Sequence, residues 1–311
     1  FCRVAKVGAE SGAAQVPGYR KEISGERPAG PQNQVRRRTM PFLITAIVLI
    51  ILVYLISLLP RRNYPGWEAF QTARFAHRGL HDAGAGRPEN SMAAFRAAIE
   101  KGFGAELDVH LMADGNLAVV HDSDLTRVCG KKGFIEDLRA EDLKNYPLQG
   151  TEETIPLFGD VLDLFAGKTP LIVELKVERG NAAALTDAAM AALAGWNGTY
   201  CVESFHPGVL LRLKKKYPRV IRGQLSQNFL KGGEVNGLSL PVRFALTNLL
   251  TSVLTRPDFI AYNCLDRGNI SLRIMKRLYG VHEAAWTVRD RETMGRLEKE
   301  GVPCIFENFV P

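Results

Sequence analysis

Hydrophobic and polar positions fall into three regimes along the chain. Before Thr39 the apolar residues follow no period, and Gly, Pro, Gln and Arg interrupt them, a composition that does not build a core. From Thr39 to Pro60 there is no charged residue, and Phe42 to Leu59 is apolar except for Thr45 and Ser57. At a rise of ~1.5 Å per residue those 18 positions reach roughly 27 Å as a helix, close to the ~30 Å hydrocarbon core of a bilayer. After Pro60, short β-rich runs ending in polar residues alternate with amphipathic stretches of helical period, the pattern of repeated β-α units around a parallel sheet.

The spacing predicts strands over 74–78, 104–109, 170–175, 199–204, 220–225, 258–262, 283–288 and 303–307. Helices are expected over 90–101 (capped by Asn90 or Ser91), 159–166, 181–194, 207–216, 269–278 and 290–300. Leu117 to His121 follows the second strand after only Ala113-Asp114-Gly115-Asn116, too short a connection for a parallel crossover, so it reads as a hairpin arm. The remaining eight strands fit a (β/α)8 TIM-type barrel of α/β class, with a hairpin excursion after strand 2 and one N-terminal transmembrane helix. The expected organisation is an upstream segment over 1–39, disordered or non-native, a membrane helix over 40–60, a linker over 61–73 and the barrel over 74–311. The chain begins at Phe1, so the natural start is expected at Met40.

A signal peptide is the rival reading of the apolar run, but the run is long for one and no small-residue cleavage site precedes Arg61. The chain is therefore expected at the membrane as a single-pass N-terminal anchor. Arg36, Arg37 and Arg38 precede the span while Arg61 and Arg62 follow it, so the positive-inside rule leaves the side of the catalytic domain open. Net charge changes the picture little. Residues 1–39 hold eight Lys/Arg against three Asp/Glu, five of the seven net positive charges, so no basic face is implied and no nucleic-acid partner is expected. The five cysteines lie far apart with no C-x-x-C pair and read as unpaired thiols.

Chemistry is concentrated at the predicted strand ends. Glu106-Leu107-Asp108 sets two carboxylates on one face of a strand with Leu107 on the other. Two such carboxylates repel unless something positive lies between them, and a divalent cation with oxygen ligands is the economical candidate. Glu174-Leu175-Lys176 repeats the arrangement at the tip of the next barrel strand, after Pro170-Leu171-Ile172, where charge is costly unless paired or liganded. Ordinary ion pairs at a barrel mouth are the bland reading of each tripeptide taken alone. His77-Arg78-Gly79 and His121-Asp122 bring two histidines and an arginine to the same mouth, residue types suited to acid/base work near neutral pH.

With His77-Arg78-Gly79, Pro88-Glu89-Asn90-Ser91, Glu106-Leu107-Asp108-Val109, Asp114-Gly115, Val119-Val120-His121-Asp122 and Glu174-Leu175-Lys176 in this order, the chain resembles the glycerophosphodiester phosphodiesterase family from about Arg74 to Phe309. The resemblance implies a phospholipase-C-like barrel that hydrolyses glycerophosphodiesters to glycerol 3-phosphate and an alcohol. It further implies that Glu106, Asp108 and Glu174 bind one divalent cation, Ca²⁺ or Mg²⁺, that His77 and His121 form the acid/base pair, and that Arg78 and Lys176 hold the phosphate. Trp286 resembles a tryptophan that the family sets against the glycerol, with barrel packing as the plainer reading.

Two features depart from the family pattern. The last strand reads Cys304-Ile305-Phe306-Glu307-Asn308 where many members end Ile-Thr-Asp, and Gly232 to Leu254 is a long, largely apolar insertion. A buried helix covering the barrel is the preferred reading of that insertion, over a lid or a bilayer contact. His110 is expected beyond the strand end, in a loop or behind the ligands, and His81, His206 and His282 are expected to be structural. The alternatives to glycerophosphodiester hydrolysis are lysophospholipase-D-like hydrolysis of membrane lysophospholipids and a catalytically silent binding barrel.

Overall fold

The computed structural model describes residues 31–61, 64, 66–231 and 237–311, with side chains from residue 40. The chain divides into two units, Phe1–Ile50 and Ile51–Pro311. Helix α1 spans Pro31–Ser57, and its Met40–Ser57 stretch is long and apolar enough to cross a membrane.

The second unit is built on strands β1 (Arg74–His77), β2 (Gly104–Leu111), β3 (Leu117–Val119), β4 (Leu171–Leu175), β5 (Tyr200–Ser204), β6 (Arg222–Ser226), β7 (Phe259–Asn263), β8 (His282–Val288) and β9 (Cys304–Phe306). Its longer helices are α2 (Met92–Glu100), α3 (Phe158–Phe165), α4 (Ala182–Ala192), α5 (Pro207–Lys216), α6 (Leu240–Thr247), α7 (Ile270–Tyr279) and α8 (Arg291–Lys299). Every strand except β3 pairs in parallel with its neighbours, and β1 joins both β2 and β9, so eight strands close a barrel. Closure at the last strand is complete despite its unusual sequence: Arg74, Phe75 and Ala76 pair with Cys304, Ile305 and Phe306.

The excursion after β2 is a hairpin, as expected, because β3 runs antiparallel with Val109, His110 and Leu111 opposite Val119, Ala118 and Leu117. That pairing carries β2 two residues beyond the predicted end. His110 therefore lies inside a strand and is buried, which corrects its expected placement beyond the strand end.

Alternation along the strands builds two cores. Leu107, Val109, Leu171, Val173 and Leu175 face outward onto Phe95 of α2, Phe158 and Phe165 of α3 and Leu185 of α4. Phe75, Ile172, Cys201, Phe259, Ala284 and Ile305 fill the interior together with Trp67 and Phe70. Gly223 makes room for that filling, since a Cβ there would stand 2.1 Å from the Phe259 ring. Helix α2 starts at Ser91, whose Oγ accepts from the Ala94 amide at 3.1 Å. Such a cap stabilises a helix by ~1 kcal/mol.

Residues from the expected membrane helix and linker pack within the second unit. Leu58 is buried with Leu249, Ile260, Leu272 and Met275, Tyr54 Oη lies 2.8 Å from Ser271 Oγ, and Arg61 forks onto Asp258. The described part of the insertion, from residue 237, does not form the fully buried helix expected of it. Leu246 and Leu249 are buried, whereas Leu240, Val242 and Phe244 of α6 are exposed; residues 232–236 lie outside the described residues.

Candidate active site

The strand ends deliver their charged side chains to one mouth. On β2, Glu106 and Asp108 face inward while Leu107 and Val109 face the helices. Asp108 pairs in register with Glu174 on β4, and Glu174 with Glu203 on β5. One oxygen from each of Glu106, Asp108 and Glu174 lies within 4.8 Å of the others, and all three residues are buried. A donor set made only of carboxylate oxygens fits a hard cation such as Ca²⁺ or Mg²⁺.

The electrostatics show what that cluster costs. Burial, then the neighbouring Asp108, Glu174 and Glu203 charges, push Glu106 well above the usual carboxylate range. Burial likewise raises Glu174, helped by Asp108 and opposed by Lys176. Asp108 is the exception: burial opposes its charge, but Lys176, His121 and Arg78 together hold its carboxyl well below the ordinary value. Lys176 Nζ lies 2.9 Å from Asp108 Oδ1 and 2.8 Å from Glu174 Oε1.

The first strand ends in a strained turn that presents His77 and Arg78. Arg78 adopts φ +55° and Gly79 φ +79°, and the Arg78 amide donates to Glu106 Oε2 at 3.2 Å. A non-glycine residue held left-handed is uncommon and clusters at functional sites. Arg78 Nη1 donates to Glu89 Oε1 at 2.8 Å, while its Nε stands 3.5 Å from Asp108 Oδ2 with no hydrogen-bond partner. Asn90 Nδ2 donates to Asp108 Oδ2 at 2.8 Å. The Pro88-Glu89-Asn90 turn thus orients both a cation and a carboxylate.

Each histidine of the predicted pair is tethered through Nδ1. His77 Nδ1 lies 2.5 Å from Glu307 Oε2, and its Nε2 lies 3.8 Å from Glu106 Oε2. His121 Nδ1 lies 2.6 Å from Asp122 Oδ1. The bond from His77, together with the charges of His77 and Arg289, overcomes the burial that raises Glu307 and brings its carboxyl down to about 2. An ionised carboxylate only accepts, so His77 Nδ1 carries a proton and Nε2 is the nitrogen left for the cavity. The same holds for His121, whose partner Asp122 is also held below its ordinary value. Burial lowers both histidines, opposed by the carboxylates around them.

All of the sequence-predicted site residues except Asp108, which is buried against Lys176 and Arg78, line one cavity of about 160 Å³: His77, Arg78, Glu106, His121, Glu174, Lys176 and Trp286. Trp286 donates Nε1–H to the Ala261 carbonyl at 3.1 Å and packs edge-on against Phe205 with centroids 5.6 Å apart, leaving an apolar wall beside the charged cluster.

Sequence reasoning missed Glu307, Glu203 and the ring of residues behind the histidines. Glu203 is buried beside Glu174 and lines the same cavity, and its Oε2 has no hydrogen-bond partner. The signal for it was present, a carboxylate at the tip of an apolar strand, the same signal that singled out Glu174. His110 holds the site from behind: its Nδ1 lies 2.7 Å from Glu136 Oε1 and its Nε2 3.2 Å from the His121 carbonyl. His81, expected to be structural, stands 4.0 Å from Glu307 Oε2 and so belongs to the same charged neighbourhood. His206 caps α5 by accepting from the Gly208 amide, and His282 stacks on Trp67.

Carboxylates that repel one another, set beside cations and imidazoles at the mouth of a closed parallel barrel, define the class as a (β/α)8-barrel enzyme with its polar site at the strand ends. Residues 77–311 match the model of the glycerophosphoryl diester phosphodiesterase family, and the chain belongs to that family. A glycerophosphodiester phosphodiesterase of Caldanaerobacter subterraneus subsp. tengcongensis is 29% identical over 247 residues, 76% of this chain and 93% of that protein. One from Bacillus altitudinis is 39% identical over 114 residues, 34% of this chain, and the match spans only 45% of that relative's length. The fold is shared with an Oleispira antarctica phosphodiesterase solved with the product sn-glycerol-3-phosphate, at TM-score 0.60 and 22% identity, covering 77% of this chain and 94% of that one.

Proposed function

We propose that the chain hydrolyses glycerophosphodiesters to glycerol 3-phosphate and an alcohol by acid/base catalysis at His77 and His121, with one divalent cation at Glu106, Asp108 and Glu174. The observation that carries the reading is the pair of tethered imidazoles. Both Nδ1 atoms are engaged by carboxylates, Glu307 and Asp122, which leaves both Nε2 atoms for proton transfer. One imidazole, neutral at Nε2, takes a proton from the attacking nucleophile, while the other, protonated at Nε2, gives its proton to the departing alkoxide; the pair therefore works with one ring neutral and the other cationic. The phosphodiester gains negative charge towards its pentacoordinate transition state, and Arg78 and Lys176 supply positive charge there. A bound Ca²⁺ or Mg²⁺ would add Lewis-acid stabilisation of the same oxygens. Trp286 and Phe205 form the apolar surface against which the glycerol carbons rest.

The reading includes an anchor, with Met40–Ser57 crossing the bilayer; a cleaved leader is the competing outcome. The exposed Leu240, Val242 and Phe244 of α6, on the connection that leaves the C-terminal end of β6, favour lysophospholipids as a second substrate class, because an acyl chain needs an apolar surface.

The test is release of glycerol 3-phosphate by the full chain in detergent from a panel of glycerophosphodiesters, with EDTA and then with Ca²⁺ or Mg²⁺ restored. Cation-restored release is expected, together with loss of turnover in folded His77→Ala and His121→Ala. Near-normal turnover by both variants would sink the mechanism. Turnover confined to lysophosphatidylcholine would install the second substrate class.

A further inference from the structure

Arg127 lies outside the cavity on a short helix, Thr126–Cys129, and its side chain is about half exposed (48%). Its guanidinium nevertheless engages two carboxylates at once. Nη1 and Nη2 donate to Glu89 Oε2 and Oε1 at 2.9 and 2.7 Å, and Nε donates to Asp122 Oδ2. Each carboxylate has its other task in the site. Glu89 Oε1 also accepts from Arg78 Nη1, and Asp122 Oδ1 accepts from His121 Nδ1. One planar fork therefore holds both the carboxylate behind the phosphate-binding arginine and the carboxylate behind an acid/base histidine.

We propose that Arg127 is a positioning residue that fixes His121 and Arg78 in a common geometry for phosphoryl transfer. This rests on the roles given to His121 and Arg78 above. Arg127 is half exposed, and the buried Glu89 keeps Arg78 as its ion-pair partner when Arg127 is removed, so the fold is not left with an unpaired buried charge. The backbone that carries it is secured independently: Leu125 and Val128 are buried on either side, and the Cys129 amide donates to the Leu125 carbonyl. Without Arg127, Asp122 Oδ2 and Glu89 Oε2 lose the donors recorded for them, and each carboxylate is free to rotate away from the group it orients. Displacing a reacting group by ~1 Å can cost 10²-fold in rate, and removing the partner behind a site residue typically costs 10–100-fold.

The defects separate kinetically. Asp122→Asn alters the carboxylate that orients His121 and leaves Glu89 and its bond to Arg78 in place, so it is expected to lower kcat with KM nearly unchanged. Glu89→Gln touches the arginine branch and is expected chiefly to raise KM. Arg127→Ala should show both, with kcat down about 10–100-fold and KM raised. Arg127→Lys should recover only part of the loss, because one ammonium cannot reproduce a fork that meets two carboxylates.

The experiment is steady-state release of glycerol 3-phosphate by the full chain and these variants at saturating cation, with and without added methylguanidinium, and with the Arg127→Ala/Asp122→Asn double variant. Partial rescue by methylguanidinium, and a kcat loss in the double variant smaller than the product of the single losses, are the expected results. Parental kcat and KM within twofold in Arg127→Ala overturn the proposal. A loss that methylguanidinium leaves untouched and that multiplies with Asp122→Asn also overturns it, assigning Arg127 to the fold alone. Absence of release by the parent chain would instead sink the proposed function, so the two failures are distinguishable.

Discussion

His77 Nδ1 and Glu307 Oε2 lie 2.5 Å apart across the seam where the first and last strands close the barrel. The bond fixes the imidazole tautomer and aims Nε2 at the cavity, and Arg289 holds the second oxygen of Glu307 at 2.7 Å. Glu307→Gln keeps the shape and removes the charge that orients the ring. Its kcat is expected to fall about 10–100-fold with little change in KM, as for other groups that orient a reacting residue. Unchanged kcat at saturating substrate would show that the tether is incidental.

Glu307 also links the site to stability at low pH. Its carboxyl sits at about 2 in the folded chain against 4.5 ordinarily, because the bond from His77 and the charges of His77 and Arg289 outweigh burial. A depressed folded value means that the contribution to stability is fully present above about pH 4.5 and is lost as pH falls through about 2. The denaturant midpoint of the parent chain should therefore drop towards that of Glu307→Gln across this window. A gap between the two that stays constant from pH 5 to pH 2 would contradict the assignment.

The eight barrel strands and the hairpin were legible because the apolar runs are short, end in charged residues and are separated by helical periods. The paired carboxylates of β2 and β4 were legible because period two sets i and i+2 on one face. Glu307 was not, since a carboxylate on the last strand becomes relevant only once that strand pairs with β1, a contact some 230 positions apart in sequence. The link from Asp122 through Arg127 to Glu89 was hidden for the same reason. His110 was misplaced because the hairpin extends β2 beyond the point where its outward apolar pattern weakens. The insertion misled because a run of Leu, Val and Phe reads as buried whichever side of it faces the core.

Gly79 ends β1 in the left-handed region, at φ +79°, and a Cβ on it would stand 2.9 Å from both the backbone carbon and the Cβ of Ala94 on α2. Neither atom is the end of a flexible side chain. Gly79→Ala therefore meets backbone strain and a steric conflict together, and the turn that presents Arg78 must shift. A loss of about 1–3 kcal/mol is expected from the strained backbone alone, visible as a lower denaturant midpoint, with weaker phosphate binding seen as a raised KM. A variant of parental stability and KM would show that the turn adapts without moving Arg78.

The acidic cluster makes a prediction that does not depend on turnover. Oxygens of Glu106, Asp108 and Glu174 come within 4.8 Å of one another, so a cation bound there stabilises the folded chain and not the unfolded one. At one hundred times its dissociation constant the gain is ~2.7 kcal/mol, enough to raise the melting temperature by several degrees. Glu174→Ala removes one of the three ligands and should abolish most of that rise. Glu203→Gln should preserve it, because Glu203 lies beside Glu174 and is not one of the three residues whose oxygens converge. Equal Ca²⁺ or Mg²⁺ stabilisation of the parent chain and Glu174→Ala would place the cation elsewhere. Loss of stabilisation in Glu203→Gln as well would make Glu203 a fourth ligand.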